Sequence, residues 1–184
     1  MLKNDSLLFN LGKSRAKTRR ERYDLKKNIS VNLNLSIATI NFSFDDNLAF
    51  MIRSAACFGV KNLYVIGSVP SRSFLNAKSG SLYDYVNIKS FSRPSDFLDF
   101  CRRNKYDLYS LDLTDSSNSI YENTFSTESH SVMVFGNEST GIPVEILLNS
   151  KHLHIPMPGV GFCLNVSQAG TVAISEFYRK TKTQ

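Results

Sequence analysis

Ile155-Pro156-Met157-Pro158-Gly159-Val160-Gly161-Phe162-Cys163-Leu164-Asn165-Val166-Ser167-Gln168-Ala169 joins a Pro/Gly loop to small polar side chains at the mouth of a helix. Val166, Gly170, Val172, Ala173 and Phe177 mark the apolar side of that helix. Glycine leaves the backbone uncovered, and a helix start carries unpaired N–H groups, so such a loop can offer backbone donors and acceptors to a ligand. The same residues also suit a plain turn into a packed C-terminal helix. Two segments further up the chain bear on the choice.

Working outward, Leu35–Ile40 reads as a buried strand, and Asp45-Asp46-Asn47 supplies capping residues for an apolar helix, Leu48–Phe58, that stops at Gly59. Leu63–Ile66 is the next strand, closed by Gly67, and Ser68–Gly80 reads as a polar loop. Val86–Ser90, Tyr106–Leu111 and Val132–Phe135 are further short strands, while Pro94–Asn104 and Pro143–Leu148 are helical with Pro at their starts. Strands alternating with helices predict an α/β fold with a mainly parallel sheet covered on both faces. Ligands of such sheets gather beyond the carboxyl ends of the strands. Three polar segments follow strands there: Asn41–Arg53, Gly136–Gly141 and Pro156–Ser167.

In the first segment, Asn47 starts the helix and Arg53 follows six residues on, nearly two turns, which places both on roughly one side. Arg53 is a lone cation among apolar neighbours. It either snorkels to the surface or holds a phosphate or reacting hydroxyl, and its apolar company favours the second. In the second segment a strand runs into Gly136-Asn137-Glu138-Ser139-Thr140-Gly141-Ile142-Pro143. Gly136 permits close backbone approach, and Glu138 stands at the strand end. The spacing matches neither a Walker loop nor G-x-G-x-x-G, which argues against a nucleoside triphosphate or a dinucleotide.

Composition sets the outer limits. The chain has 184 residues, 42% of them hydrophobic, which suits one folded domain with a short appendage. No run approaches a membrane span, and Met1–Asn10 lacks the pattern of a secretory signal. Cys57, Cys101 and Cys163 are far apart and form no Cys-x-x-Cys, so an intracellular, cytoplasmic setting is expected. Residues 1–30 hold nine basic and three acidic side chains, a surplus equal to the whole net charge of +6. We therefore divide the chain into a basic, partly helical arm over 1–30, with its helix near Ser14–Lys27, and a folded domain over 31–184. Such an arm suits a polyanion, most simply nucleic acid, or else a solvated tail.

Taken together, the three segments resemble the SpoU (TrmH-like) branch of the SPOUT methyltransferases. Asn47, Arg53 and Phe58-Gly59 match that family's first motif, and Gly136 to Pro143 its second. Ile155-Pro156-Met157 and Leu164-Asn165-Val166-Ser167-Gln168-Ala169 match its third, and Lys78-Ser79-Gly80 looks like a weaker signature. The resemblance covers about 35–180. Ala49 replaces a usual Gly, and Cys163 a usual Ser whose hydroxyl is the stronger hydrogen-bond partner.

The resemblance implies a SPOUT fold, whose C-terminal segment threads a loop to form a deep trefoil knot, and a homodimer. It implies S-adenosylmethionine as cofactor and 2′-O-methylation of a ribose in RNA, with tRNA favoured over rRNA. Leu113, Gly136, Asn137, Ile155, Met157, Cys163 and Leu164 are the cofactor-binding residues it suggests. Arg53, Asn47, Glu138, Asn165 and Ser167 are the catalytic ones, with Arg53 nearest the reacting hydroxyl. An Arg stays protonated, so a substrate phosphate is an alternative proton acceptor. No metal is implied, and His152 and His154, alternating along a presumed strand, lack a third ligand. Two alternatives stand beside this reading: a catalytically weakened RNA-binding homologue, marked by Cys163, and an enzyme that modifies a base.

Overall fold

The computed structural model describes residues 18–28, 30–161 and 163–182. The chain divides into two compact units, with the boundary between Val31 and Asn32. In the first unit, helix α1 spans Arg19–Lys27. Thr18 and Glu21 form a reciprocal capping box at its start, Lys26 and Lys27 lie in its last turn, and none of its residues is buried. The expected start of this helix, Ser14–Lys17, lies outside the described residues.

The second unit is built on a seven-stranded sheet. Its elements are β1 (Leu35–Ile40), α2 (Asp45–Phe58), β2 (Asn62–Ile66), α3 (Arg72–Lys78), β3 (Asn87–Phe91), α4 (Pro94–Arg103) and β4 (Asp107–Leu111). They continue through β5 (Asn118–Ser119), β6 (Ser131–Phe135), α5 (Val144–Leu147), β7 (Lys151–His154) and α6 (Val166–Lys182). The strand order is β3-β2-β1-β6-β4-β7-β5, and every ladder between them is parallel.

Both sheet faces are covered, because successive side chains of β1 and β6 alternate between two cores. Leu35, Ile37, Met133 and Phe135 pack with α2 and α6. Ala38, Ile40, Val132 and Val134 pack with Phe97, Leu98 and Cys101 of α4 and with Ile146 of α5. Gly59 ends α2 in the left-handed conformation at φ 82°, where a side chain would be strained.

The chain departs from the expected pattern in a few places. Ser68–Gly80 contains α3 rather than a loop throughout. The Ser71 hydroxyl caps Phe74 N–H, and Leu75 is fully buried against the α2 side of the sheet. The helix is only two turns long with one buried residue, too short to show a periodicity. β5 has two residues and is held by β7 alone, so it carries no pattern of its own. Asp45 and Asp46 lie inside the first turn of α2, where they favour the helix through charge, and Phe44 occupies the cap position without a side-chain bond.

Candidate active site

The carboxyl edge of a parallel sheet is where chain segments leave the strands together, and three of them converge here. After β1 comes Asn41 to Asn47, after β6 comes Gly136 to Gly141, and after β7 comes the loop that ends at α6. Hydrogen bonds tie them into one chain. The Ser43 N–H donates to Glu138 Oε2 at 2.7 Å, and Asn47 Nδ2 donates to Glu138 Oε1 at 2.5 Å. Asn165 Nδ2 donates to Asn47 Oδ1 at 3.0 Å. Asn165 Oδ1 accepts from the Ser167 N–H at 2.9 Å and from its hydroxyl at 2.6 Å, which caps the start of α6.

The direction of this relay is set at both ends. A carboxylate can only accept and a backbone N–H can only donate, so both amides are oriented without freedom to flip. Asn47 and Ser167 are buried, at 4% and 5% exposure. Desolvation pushes the Glu138 carboxyl upward, but bonds from the N–H groups of Ser43, Glu138 and Phe44 and from Asn47 outweigh it. Its pKa is lowered, and it is held as a carboxylate.

Beside the relay lies a cavity of about 620 Å³. Leu113, Gly136, Asn137, Ile155, Met157, Cys163 and Leu164 all line it, together with Asn165 and Glu138. Leu111, Ile155, Leu164 and Val166 form an apolar wall, and Asp112, which the sequence alone did not single out, and His154, weighed there only as a metal ligand, add polar groups. A smaller recess of about 400 Å³, lined by Asn47, Phe50, Asn165, Ser167, Gln168 and Thr171, shares Asn165 with it.

One expectation needs correction, and one gains a local reason. Gly136, which lines the cavity, is required by its own chain. A Cβ there would stand 2.7 Å from the carbonyl carbon of Gly141, because Asn137 and Gly141 bridge the loop with mutual N–H···O bonds of 3.0 and 2.9 Å. Arg53 does not share the side of Asn47. Six residues at 3.6 per turn fall about 120° short of two turns. Asn47 is buried in the relay, whereas Arg53 is exposed, lines neither cavity, and its guanidinium bonds to no other described residue.

His152 and His154 do share a face of β7, and hydroxyls occupy both. His152 Nδ1 lies 3.2 Å from the hydroxyls of Thr114 and Ser116, and His154 Nδ1 lies 3.0 Å from that of Ser117. No cluster of three metal-ligating side chains occurs among the described residues. Lys78 pairs with Asp46 at 3.2 Å, and the buried Ser79 hydroxyl accepts from Leu82 N–H, so this signature secures the turn after α3.

The parallel sheet carries a ligand-sized cavity at its carboxyl edge, where ligands of such sheets bind, apolar on one wall and acceptor-rich on the other. The chain belongs to the SpoU rRNA methylase family, whose model matches residues 34–175. It is an RNA methyltransferase that draws its methyl group from S-adenosylmethionine. Among solved structures it resembles one described as giving insight into the 2-OH methylation of C/U34 on tRNA. The two share 26% identity and a TM-score of 0.72, over 82% of this chain and 97% of that one. The TrmH/SpoU tRNA modifying enzyme of A. aeolicus shares the fold at 22% identity and a TM-score of 0.76, over 89% of this chain and 84% of that one. So does AviRb of Streptomyces viridochromogenes in complex with AdoMet, at 20% identity and a TM-score of 0.71, over 85% and 64%. No match arises among curated protein sequences.

The residues present fit the cofactor. The cavity volume lies within the usual range for a small-molecule site, about 300–1,000 Å³. The apolar wall suits an adenine. A lining that holds carboxylates but no Lys or Arg, among the described residues, suits a cation.

Proposed function

We propose that this protein methylates a ribose 2′-hydroxyl of tRNA, with the cofactor in the larger cavity and the target ribose in the smaller recess. One observation carries the proposal. The relay from Glu138 through Asn47 and Asn165 to Ser167 runs between the two spaces, and Asn165 lines both. A donor and an acceptor placed on either side of one rigid polar chain meet the requirement of methyl transfer, which is alignment more than activation. Two further points support tRNA over rRNA. The relative described with C/U34 of tRNA is matched over nearly its whole length, whereas AviRb extends well beyond the match. The basic residues of 1–30 suit phosphate.

When bound, the cofactor supplies a methyl group made electrophilic by its sulfonium. Glu138, kept ionised, holds the Asn47 amide, and Asn47 in turn holds Asn165. Asn165 and Ser167 orient the ribose at the recess, and Cys163, on the cavity wall, takes the place of a hydroxyl without serving as a nucleophile. Arg53 binds the phosphate next to the target ribose, and that phosphate takes the proton, since a guanidinium stays charged. A homodimer completes the site. Phe50 and Tyr178 on α2 and α6 are exposed at 43% and 39%, and Arg53 is exposed on α2 as well, so pairing across this face would bury Arg53 against a second copy. The trefoil knot belongs to the same proposal, with the segment after β7 threading to reach α6, and so does residence where the RNA is, in the cytoplasm.

Nucleoside mass spectrometry of tRNA and rRNA, from cells with and without the protein, tests the reading. We expect one 2′-O-methylated nucleoside to vanish from tRNA and to return when purified protein and S-adenosylmethionine are added. A missing base methylation, or a loss confined to rRNA, would overturn it. Sedimentation should show a dimer at micromolar concentration, and a stable monomer would remove the second copy from the site.

A further inference from the structure

β4 and β7 run side by side, and the Asp112 N–H continues their ladder by donating to the Leu153 carbonyl at 2.9 Å. Asp112 and His154 therefore leave the sheet as neighbours at its carboxyl edge, and both line the cofactor cavity. Neither belongs to the motifs that mark the family in this chain.

Hydrogen bonding fixes the donor role of His154 Nδ1. The Ser117 hydroxyl donates its single proton to the Thr114 carbonyl at 2.7 Å and accepts from the Thr114 N–H at 3.2 Å. With that proton committed, the 3.0 Å contact between Ser117 Oγ and His154 Nδ1 requires Nδ1–H to donate. In the neutral form of the ring, Nε2 is then a bare acceptor, and it bonds to no described residue. The Asp112 carboxylate likewise accepts from no described side chain or N–H. A lone pair and a carboxylate thus both line the cavity with nothing to accept from among the described residues. Glu138, by contrast, is fully engaged in the relay.

We infer that Asp112 and His154 form an acceptor pair that grips a hydrogen-bond-donating group of the cofactor and sets its affinity. Two adjacent acceptors suit a group with at least two donors, which on this cofactor means the adenine amino group, the ribose diol or the ammonium of the amino-acid tail. The inference rests on the reading that the larger cavity takes the cofactor.

The test is calorimetric binding of S-adenosylhomocysteine and of 5′-methylthioadenosine, which lacks the amino-acid tail, to the full chain. Asp112→Asn keeps the shape and removes the charge. His154→Asn keeps a donor at the Nδ1 position and deletes the Nε2 acceptor, whereas His154→Gln restores a polar atom near Nε2. Thermal denaturation should show both Asn variants folded like the parent. Loss of a hydrogen bond to a charged or polar group should weaken S-adenosylhomocysteine by about tenfold or more in each, with partial rescue in His154→Gln. Equal weakening of 5′-methylthioadenosine places the gripped group on the adenosyl part, the ribose diol or the adenine amino group, and weakening of S-adenosylhomocysteine alone identifies the ammonium. Leu164→Arg, which fills the cavity from an exposed position, separates the two levels. If it abolishes binding while Asp112→Asn and His154→Asn bind like the parent, the acceptor pair is wrong and the cavity right. If Leu164→Arg binds normally, the cavity itself is wrong.

Discussion

Arg53 holds its guanidinium on the exposed side of α2, bonded to no other described residue, so its removal costs the fold nothing. Arg53→Ala should leave the melting temperature and the cofactor affinity within experimental scatter. If its proposed role at the substrate phosphate holds, methyl transfer should fall by at least about a hundredfold, the lower range for a positioned catalytic group. Turnover within a factor of a few of the parent would remove Arg53 from the reaction. His130 offers a different single-residue test. The Asn34 amide donates to the Ser129 carbonyl at 2.8 Å, which turns its oxygen toward His130 Nδ1 at 2.7 Å. Nδ1 therefore donates, and Nε2 accepts from the Ser36 hydroxyl at 2.7 Å. Burial pushes the imidazole below its ordinary value, in keeping with a ring held neutral. The unfolded chain then binds the proton first as pH falls. Stability from this ring is present above the unfolded value of about 6.5 and declines as pH drops below it. Melting temperature measured between about pH 7 and pH 5 should fall, with a shallower slope in His130→Gln. Equal slopes would show that the ring does not couple folding to protons.

At the scale of elements, the motif glycines separate by what surrounds them. A Cβ on Gly136 would meet the backbone of Gly141, which cannot rotate out of the way, whereas a Cβ on Gly159 or Gly161 meets nothing within 4 Å. Gly136→Ala should cost about 1–3 kcal/mol, in the range of forced overpacking, and should loosen the loop that carries Glu138. Gly159→Ala should be neutral in denaturant unfolding. Equal stability for the two variants would mean that the Asn137–Gly141 bridge yields without cost. The same crowding joins α2 to α6. Gly170 lets the fully buried Met51 lie across the helix, and a Cβ there would come within 2.3 Å of the Met51 sulfur. The Ser54 and Thr171 hydroxyls meet nearby at 2.7 Å. The relay depends on this contact, since Asn47 rides on α2, Ser167 on α6 and Asn165 at its start.

For the whole molecule, charge is divided as unevenly as the fold. The basic surplus lies in residues 1–30, while the remaining 13 basic and 13 acidic residues cancel. If the arm serves RNA, deletion of residues 1–27 should weaken binding to all RNAs alike and leave the methylated nucleotide unchanged, because phosphate contacts carry affinity but little sequence information. Each lost contact should flatten the log–log salt dependence by about 0.7–0.9. Filter binding at several salt concentrations measures this, and an unchanged slope would show that the arm does not touch RNA. No helix among the described residues is long and apolar enough to cross a membrane.

The alternation of apolar strands and amphipathic helices was enough to define a parallel α/β sheet, because burial on both faces leaves continuous apolar runs such as Leu35–Ile40. The three motifs could be found for a related reason, since close backbone approach and capping restrict residue type locally. The sequence by itself thus determined the fold class, the family and the set of loops around the cavity. Tertiary structure decided how those residues meet. Only the register of neighbouring strand ends brings Asp112 and His154 to one cavity, because their adjacency spans a sheet rather than a stretch of chain. Only the packing of α2 on α6 links Asn47 to Asn165 across 118 positions and turns Arg53 away from both, since a helix's rotation about its own axis is set by what its neighbours bury.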